Sequence, residues 1–194
     1  LPELIALKKE YNAVLMVDDS HGAGTLGKTG AGIVEHLNVN GEVDVIMMSF
    51  TKAFGGLGGG IAASKNLIDY LRVTARTYIF SDPIPPAIVA GLMEALALIR
   101  QGESLRKKLH DNGEYLQDGI KKIGLNVKER IVPIIPVVIG DEKKIIHLSQ
   151  FLGEQGIFSP PIRYPAVPKG QERLRITLMA THEKKYIDLL LKAL

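Results

Sequence analysis

VLMVDDSHGAGTLGKTG, residues 14–30, decides how the chain is read. It opens on an apolar run, AVLMV over 13–17, which predicts a short buried strand. The run ends at Asp18-Asp19-Ser20-His21, and glycines follow. Those glycines fit two phosphate-binding patterns. Gly22, then Gly27-Lys28-Thr29 after four residues, fits G-x-x-x-x-G-K-[ST]; Gly22, Gly24 and Gly27 fit G-x-G-x-x-G.

Both nucleotide readings fail on context. A P-loop needs a helix whose first turn holds the Lys-Thr pair, so that free amides meet phosphate. Here Gly30-Ala31-Gly32 follows Thr29, and each glycine there costs about 1 kcal/mol relative to alanine. A later strand ending in Asp is also needed for magnesium. The next apolar run, VDVIMMSF at 43–50, ends in Ser-Phe. In the dinucleotide reading Asp44 lies at a suitable distance, but at the start of its strand rather than the end. The glycines therefore read as a turn in which backbone packs closely.

Working outward, residues 2–11 predict an amphipathic helix with Pro2 in its first turn. IVEHLNV predicts a short helical turn, and NLIDYLRVTAR a helix. SDPIPP at 81–86 breaks the pattern. Residues 87–122 then predict one long helix or two, with a dent at Asn112-Gly113 and a stop at Gly124. The last part predicts strand IVPIIPVVIG, helix KKIIHLSQFLGEQG, strand RLRITLMA and helix EKKYIDLLLKAL, the last capped by Thr181. Strand and helix alternate, so an α/β architecture is expected. Two domains are expected, 1–100 and 101–194, joined through the helical stretch around 87–122.

Composition excludes several classes. The 194 residues contain no cysteine, so no disulfide, thiolate nucleophile or cysteine metal site is available. Net charge is only +3 and the signs are interspersed, which does not point to nucleic acid. No membrane-spanning run or signal peptide is read, and a cytoplasmic setting is expected. No metal site is predicted. The chain opens at Leu1 in the manner of a mid-helix segment, and a fragment of a longer protein is expected.

Ligands of open α/β sheets sit beyond the carboxyl ends of strands. The first strand ends at Asp18 and His21. The second ends at Ser49-Phe50-Thr51-Lys52, followed by glycines 55, 56, 58, 59 and 60. A carboxylate, a histidine, hydroxyls, a lysine and backbone amides in one crevice suit pyridoxal phosphate. Each residue also has a plainer reading. Asp18 or Asp19 caps a turn, Lys52 is a surface lysine, His21 is a packed or solvated histidine, and Ser49 is a strand-end hydroxyl. Arg173 and Arg175 share a strand face and are both solvated. The combined pattern favours the functional readings. His36, His110 and His147 read as structural.

With these residues in place, VDDSHGAGTLGKTGAG, SFTKAFGGLGGG, RTYIFSDPIPPA and RLRITLMATH resemble the α-oxoamine synthases, over essentially the whole chain and in order. The family is one of fold-type-I pyridoxal phosphate enzymes that join an amino acid to an acyl-CoA. The resemblance implies that the chain is the C-terminal part of the large domain plus the small domain. It implies that Lys52 carries the cofactor and moves a proton. Asp18, as a buried carboxylate, would face the ring nitrogen, and His21 the phenolic oxygen. Ser49 would hold the phosphate, with Thr51 a weaker candidate, and Arg175 the substrate carboxylate. His182 matches a family histidine but is given no chemistry.

The implied reaction takes alanine or glycine and an acyl-CoA to an amino ketone, CoA and usually carbon dioxide, in a homodimer. Ser81 matches a loop that reaches a neighbouring subunit's phosphate, but Asp82 beside it brings a negative charge. The family's early half is expected to supply part of the cofactor cup, so cofactor binding by this chain alone is expected to be weak. The alternatives are a glycine C-acetyltransferase within the same family, another type-I aminotransferase, a P-loop module, and a non-catalytic fragment.

Overall fold

Pro2 opens helix α1 (Pro2–Tyr11), and Asn12 closes it in the left-handed conformation that asparagine tolerates. The structure, a computed structural model, describes every residue except 126 and 128–130. It divides into two units, Leu1–Glu103 and Ser104–Leu194.

The first unit is built on β1 (Met16–Asp18), α2 (Ile33–His36), β2 (Val45–Ser49) and β3 (Gly59–Ala63). β1 and β2 run parallel, with Asp18 opposite Met47. β3 returns antiparallel to β2, with Gly59 opposite Ser49. The carboxyl ends of β1 and β2 thus share one edge of the sheet. At the other end of β2, Asp44 is fully used. Its Oδ1 accepts from Lys8 Nζ at 2.9 Å, and its Oδ2 from the Leu15 amide at 2.8 Å. It ties α1 to the sheet, a role quite unlike ribose binding.

The strands are less buried than their apolar sequence predicts. Val14 lies outside β1, because the Leu15 amide goes to the Asp44 side chain rather than to a neighbouring strand. β1 has a single hydrogen-bonded neighbour, and Met16 is exposed. The buried hydrophobic residues of this unit are Ile5, Ala23, Leu26, Val34 and Val45. α3 (Lys65–Thr74) begins at Ser64, whose hydroxyl oxygen accepts from the Leu67 amide. α4 (Arg76–Ile79) follows. α5 (Pro86–Gln101) starts at the end of the proline breaker, and none of its residues is buried although its composition is apolar.

α5 ends at Gly102 and α6 (Glu103–Lys122) begins directly after it. The predicted helical stretch is therefore two helices. No dent occurs at Asn112-Gly113. α6 runs through it, with Gly113 buried and the Asn112 side chain donating to the carbonyl of His182 at 3.0 Å. That anchorage offsets the local cost of glycine in a helix.

The second unit adds β4 (Ile134–Val138), α7 (Glu142–Glu154), β5 (Pro161–Ile162), β6 (Arg173–Thr177) and α8 (Lys184–Ala193). Its sheet runs β4-β6-β5, antiparallel throughout. Strand alternation puts Ile135, Val137, Leu174 and Ile176 into a core with Leu116 and Ile120 of α6, Ile145 and Leu152 of α7, and Ile187 of α8. Asp141 caps α7 by accepting from the Lys144 amide at 2.8 Å. Thr181 does not cap α8. The cap position is Glu183, because the chain first makes a turn closed by the His182 amide on the Met179 carbonyl at 3.1 Å.

Candidate active site

The site is built where β1 and β2 end. Asp18 closes β1 and is exposed, not buried as the resemblance implies. Its Oδ1 accepts from the Ser20 amide at 2.9 Å, the short side-chain turn that aspartate favours. The Ser20 hydroxyl and then this amide hold the Asp18 carboxyl below the ordinary aspartate range, and the charge of His21 adds a smaller pull. The same hydroxyl lies 3.4 Å from Met47 Sδ. It has one proton to give, and a carboxylate accepts more strongly than a thioether.

Asp19 behaves differently from its neighbour. It is 5% exposed, and its amide donates to the Met47 carbonyl at 2.8 Å. Its Oδ2 accepts from the Ile33 amide, fourteen residues on, at 2.8 Å. Burial pushes its carboxyl up, and the Ile33 and Gly22 amides counter part of that.

The glycine loop between them is closed by the protein's own carboxylates. Glu35 accepts from the Thr29 amide at 3.0 Å through Oε1 and from the Ala31 amide at 3.0 Å through Oε2. A Cβ on Gly27 would stand 2.1 Å from Glu35 Oε2. The amides that a P-loop turns toward phosphate are here spent on Glu35 and Asp19. The helix that follows, α2, has only four residues and starts after Gly32, so it does not point at Lys28-Thr29. This is the physical reason the motif match carries no nucleotide chemistry.

The second half of the site is the turn after β2. The Ser49 and Thr51 hydroxyls are hydrogen-bonded at 2.8 Å, and the Thr51 amide donates to Ser49 Oγ at 3.3 Å. The turn folds back on itself, with the Phe50 amide on the Gly58 carbonyl at 2.9 Å and the Gly56 amide on the Phe50 carbonyl at 2.8 Å. Lys52 sits at its tip and is exposed. Among the described residues no side-chain hydrogen bond or ion pair holds its amine. The two halves touch. A Cβ on Gly24, whose φ is +85°, would meet Ala53 Cβ at 2.7 Å and Ile99 Cδ1 of α5 at 3.1 Å. Only the absence of a side chain, in a backbone conformation glycine adopts freely, lets the loop after β1 lie against the residue next to Lys52.

The structure thus brings Asp18, His21, Ser49, Thr51 and Lys52 to one edge of one sheet. Ser81 makes a different contact. Its hydroxyl donates to the Thr77 carbonyl of α4. Arg175 belongs to the second unit. There it lies half-buried on β6, opposite Pro136 of β4, while Arg173 is tied to Gln171. His182 is structural, its Nδ1 accepting from the Met179 amide at 3.3 Å. Among the described residues no cluster of His, Asp and Glu is suited to a metal ion, and no helix is long and apolar enough to cross a membrane.

The sequence reading missed three residues. Ser20 orients Asp18, and its signal is the D-x-S spacing of a side-chain turn. Asp19 and Glu35 clamp the loop, and neither has a local signal, since their partners lie fourteen and up to six residues away.

A fold in which a parallel β1–β2 edge gathers a carboxylate, a histidine and a lysine matches a known family over its full length. The chain belongs to the aminotransferase class I and II family, whose profile covers residues 1–194. It is 44% identical over 192 residues to the 8-amino-7-oxononanoate synthase of Thermosipho melanesiensis, covering 99% of this chain and 49% of that protein. It is 38% identical to the serine palmitoyltransferase of Bacteriovorax stolpii, over 99% of this chain and 46% of that protein. Among solved structures, a variant serine palmitoyltransferase of S. paucimobilis with a bound PLP–myriocin aldimine superposes with a TM-score of 0.94 at 27% identity. That match covers 100% of this chain and 49% of the other. The expected likeness to α-oxoamine synthases and the fold-type-I class hold. The chain spans about half the length of the curated relatives it matches.

Proposed function

We propose that residues 1–194 form the lysine-bearing part of a pyridoxal phosphate-dependent acyltransferase, of the kind that makes 8-amino-7-oxononanoate. The reading is carried by one observation. Asp18 ends one strand and Lys52 follows the end of its neighbour; Ser20 holds the Asp18 carboxyl below the ordinary aspartate range, and among the described residues no side-chain hydrogen bond or ion pair holds the Lys52 amine.

The residues present fit the cofactor. An exposed carboxylate held below its usual range by Ser20 suits a cationic ring nitrogen. The paired Ser49 and Thr51 hydroxyls and the glycine-rich turn suit a phosphate. When bound, pyridoxal phosphate supplies an electron sink for carbanion chemistry at the amino acid's α-carbon. The protein's part is to place groups. With the cofactor bound, Asp18 would keep the ring nitrogen charged, His21 would donate to the ring oxygen, and Lys52 would take and return the α-proton. Arg175 is read as the residue that would bind the substrate carboxylate, which a guanidinium does bidentately.

Residues 1–100 are read as the C-terminal part of a large cofactor domain, and 101–194 as the small domain. The working form is read as a cytoplasmic homodimer. Ser81 is read as a phosphate contact offered to a neighbouring subunit. The 44% identity to an 8-amino-7-oxononanoate synthase supports that kind of acyltransferase over a glycine C-acetyltransferase. The test is alanine-dependent release of CoA from an acyl-CoA in protein carrying residues 1–194. Release that is lost in Lys52→Ala supports the reading. Transamination of the amino acid with no CoA release counts against it.

A further inference from the structure

We propose that Asp19 is a positioning residue whose buried carboxylate staples the glycine loop 22–32 onto the end of β1 and thereby sets Asp18, His21 and Lys52. The proposal rests on the functional reading above for what those residues do, but not for the staple itself.

Three observations carry it. First, the carboxylate is seated rather than merely near. A Cβ on Gly22 would stand 2.0 Å from Oδ1 and one on Gly32 would stand 1.8 Å from Oδ2, so two glycines leave the space that the two oxygens fill. Second, Asp19 joins points far apart in sequence. Its amide reaches Met47 of β2, its side chain reaches Ile33 at the start of α2, and its carbonyl accepts from the Gly22 and Ala23 amides at 3.1 and 2.9 Å. Third, the residues it fixes are the site. Asp18 precedes it. His21 lies inside the turn it closes, with the His21 carbonyl capped by Thr25 Oγ1 at 2.6 Å. Gly24 of the same loop abuts Ala53, next to Lys52. Asp18 therefore acts at the exposed side of the site, while Asp19, one residue on, acts through the backbone.

The test uses amide hydrogen exchange on the cofactor-free chain together with pyridoxal phosphate affinity. Asp19→Ala removes the acceptor. Ile33→Pro removes the donor instead, at the first helical position, where the missing amide hydrogen and fixed φ of proline are tolerated. Exchange over Ser20–Ala23 is expected to speed by about tenfold or more in both variants. Asp19→Asn, which keeps one acceptor oxygen, is expected to recover part of the protection. Cofactor affinity is expected to fall by about tenfold in Asp19→Ala when His21 is present, and by less than about twofold in a His21→Ala background. A residue that only stabilised the fold would give additive losses.

Unchanged exchange over Ser20–Ala23 in the folded variants, or additive losses in the cycle, would overturn the proposal. If Asp19→Ala does not fold, Ile33→Pro and Asp19→Asn decide it. If a longer protein that carries residues 1–194 and the family's early half shows no cofactor binding, the functional reading is what fails, and exchange alone decides the staple.

Discussion

Asp18 and Asp19 are adjacent in the chain but sit in opposite environments. Asp18 is exposed and receives the Ser20 amide, whereas Asp19 is 5% exposed and receives the Ile33 amide. The division follows from where β1 ends. The last strand residue reaches the open edge of the sheet, and the next turns under the loop.

Their titrations are expected to diverge. Asp18 lies below the ordinary value of 3.8 through Ser20, and Asp19 lies above it through burial. A depressed folded value contributes stability that is present above the unfolded value and lost as pH falls through the folded one. Asp19 runs the other way, because its charged form costs stability above its raised folded value and the cost is relieved as pH falls through it. Carboxyl carbon NMR should show Asp19 titrating at higher pH than Asp18. Ser20→Ala should move the Asp18 midpoint up and leave Asp19 in place.

Gly32 and Gly41 separate contact from conformation. Both have positive φ, +92° and +82°, but a Cβ on Gly32 meets Asp19 while one on Gly41 meets nothing within 4 Å. Gly41→Ala should cost about 1 kcal/mol, the conformational part alone. Gly32→Ala should cost about 3 kcal/mol or more, read from thermal melts.

The loop is expected to bind no nucleotide. With the Thr29 and Ala31 amides held by Glu35, calorimetry with magnesium and ATP should show no binding to the unmodified chain or to Lys28→Ala. Binding lost on Lys28→Ala would reopen the P-loop reading.

The second unit carries the larger core. Leu116 is 0% exposed and Met93 of α5 is 69% exposed. Leu116→Ala should destabilise its unit by about 2–5 kcal/mol, and Met93→Ala should stay within about 0.5 kcal/mol, as followed by hydrogen exchange in each unit.

The legible parts of the sequence were those with local signals. Pro2 marks a helix start, the proline breaker at 81–86 marks the approach to α5, the alternation around Leu174 and Ile176 marks β6, and strand ends mark Asp18 and Lys52. What could not be read depends on distant partners. Asp44 takes Leu15's amide and shortens β1. Glu35 and Asp19 spend the loop amides that a motif would assign to phosphate. Asn112 anchors to His182 and carries α6 through a glycine that otherwise reads as a break. The exposure of Asp18 was also hidden, because an apolar strand pattern says nothing of what covers its end.

The most direct test of the central claim is reductive trapping. A protein that carries residues 1–194 together with the family's early half is mixed with pyridoxal phosphate, reduced with borohydride, digested, and the modified lysine located by mass. Selective modification of Lys52, lost in Asp18→Ala, is the expected result. Modification scattered over surface lysines, unchanged in Asp18→Ala, would contradict the account.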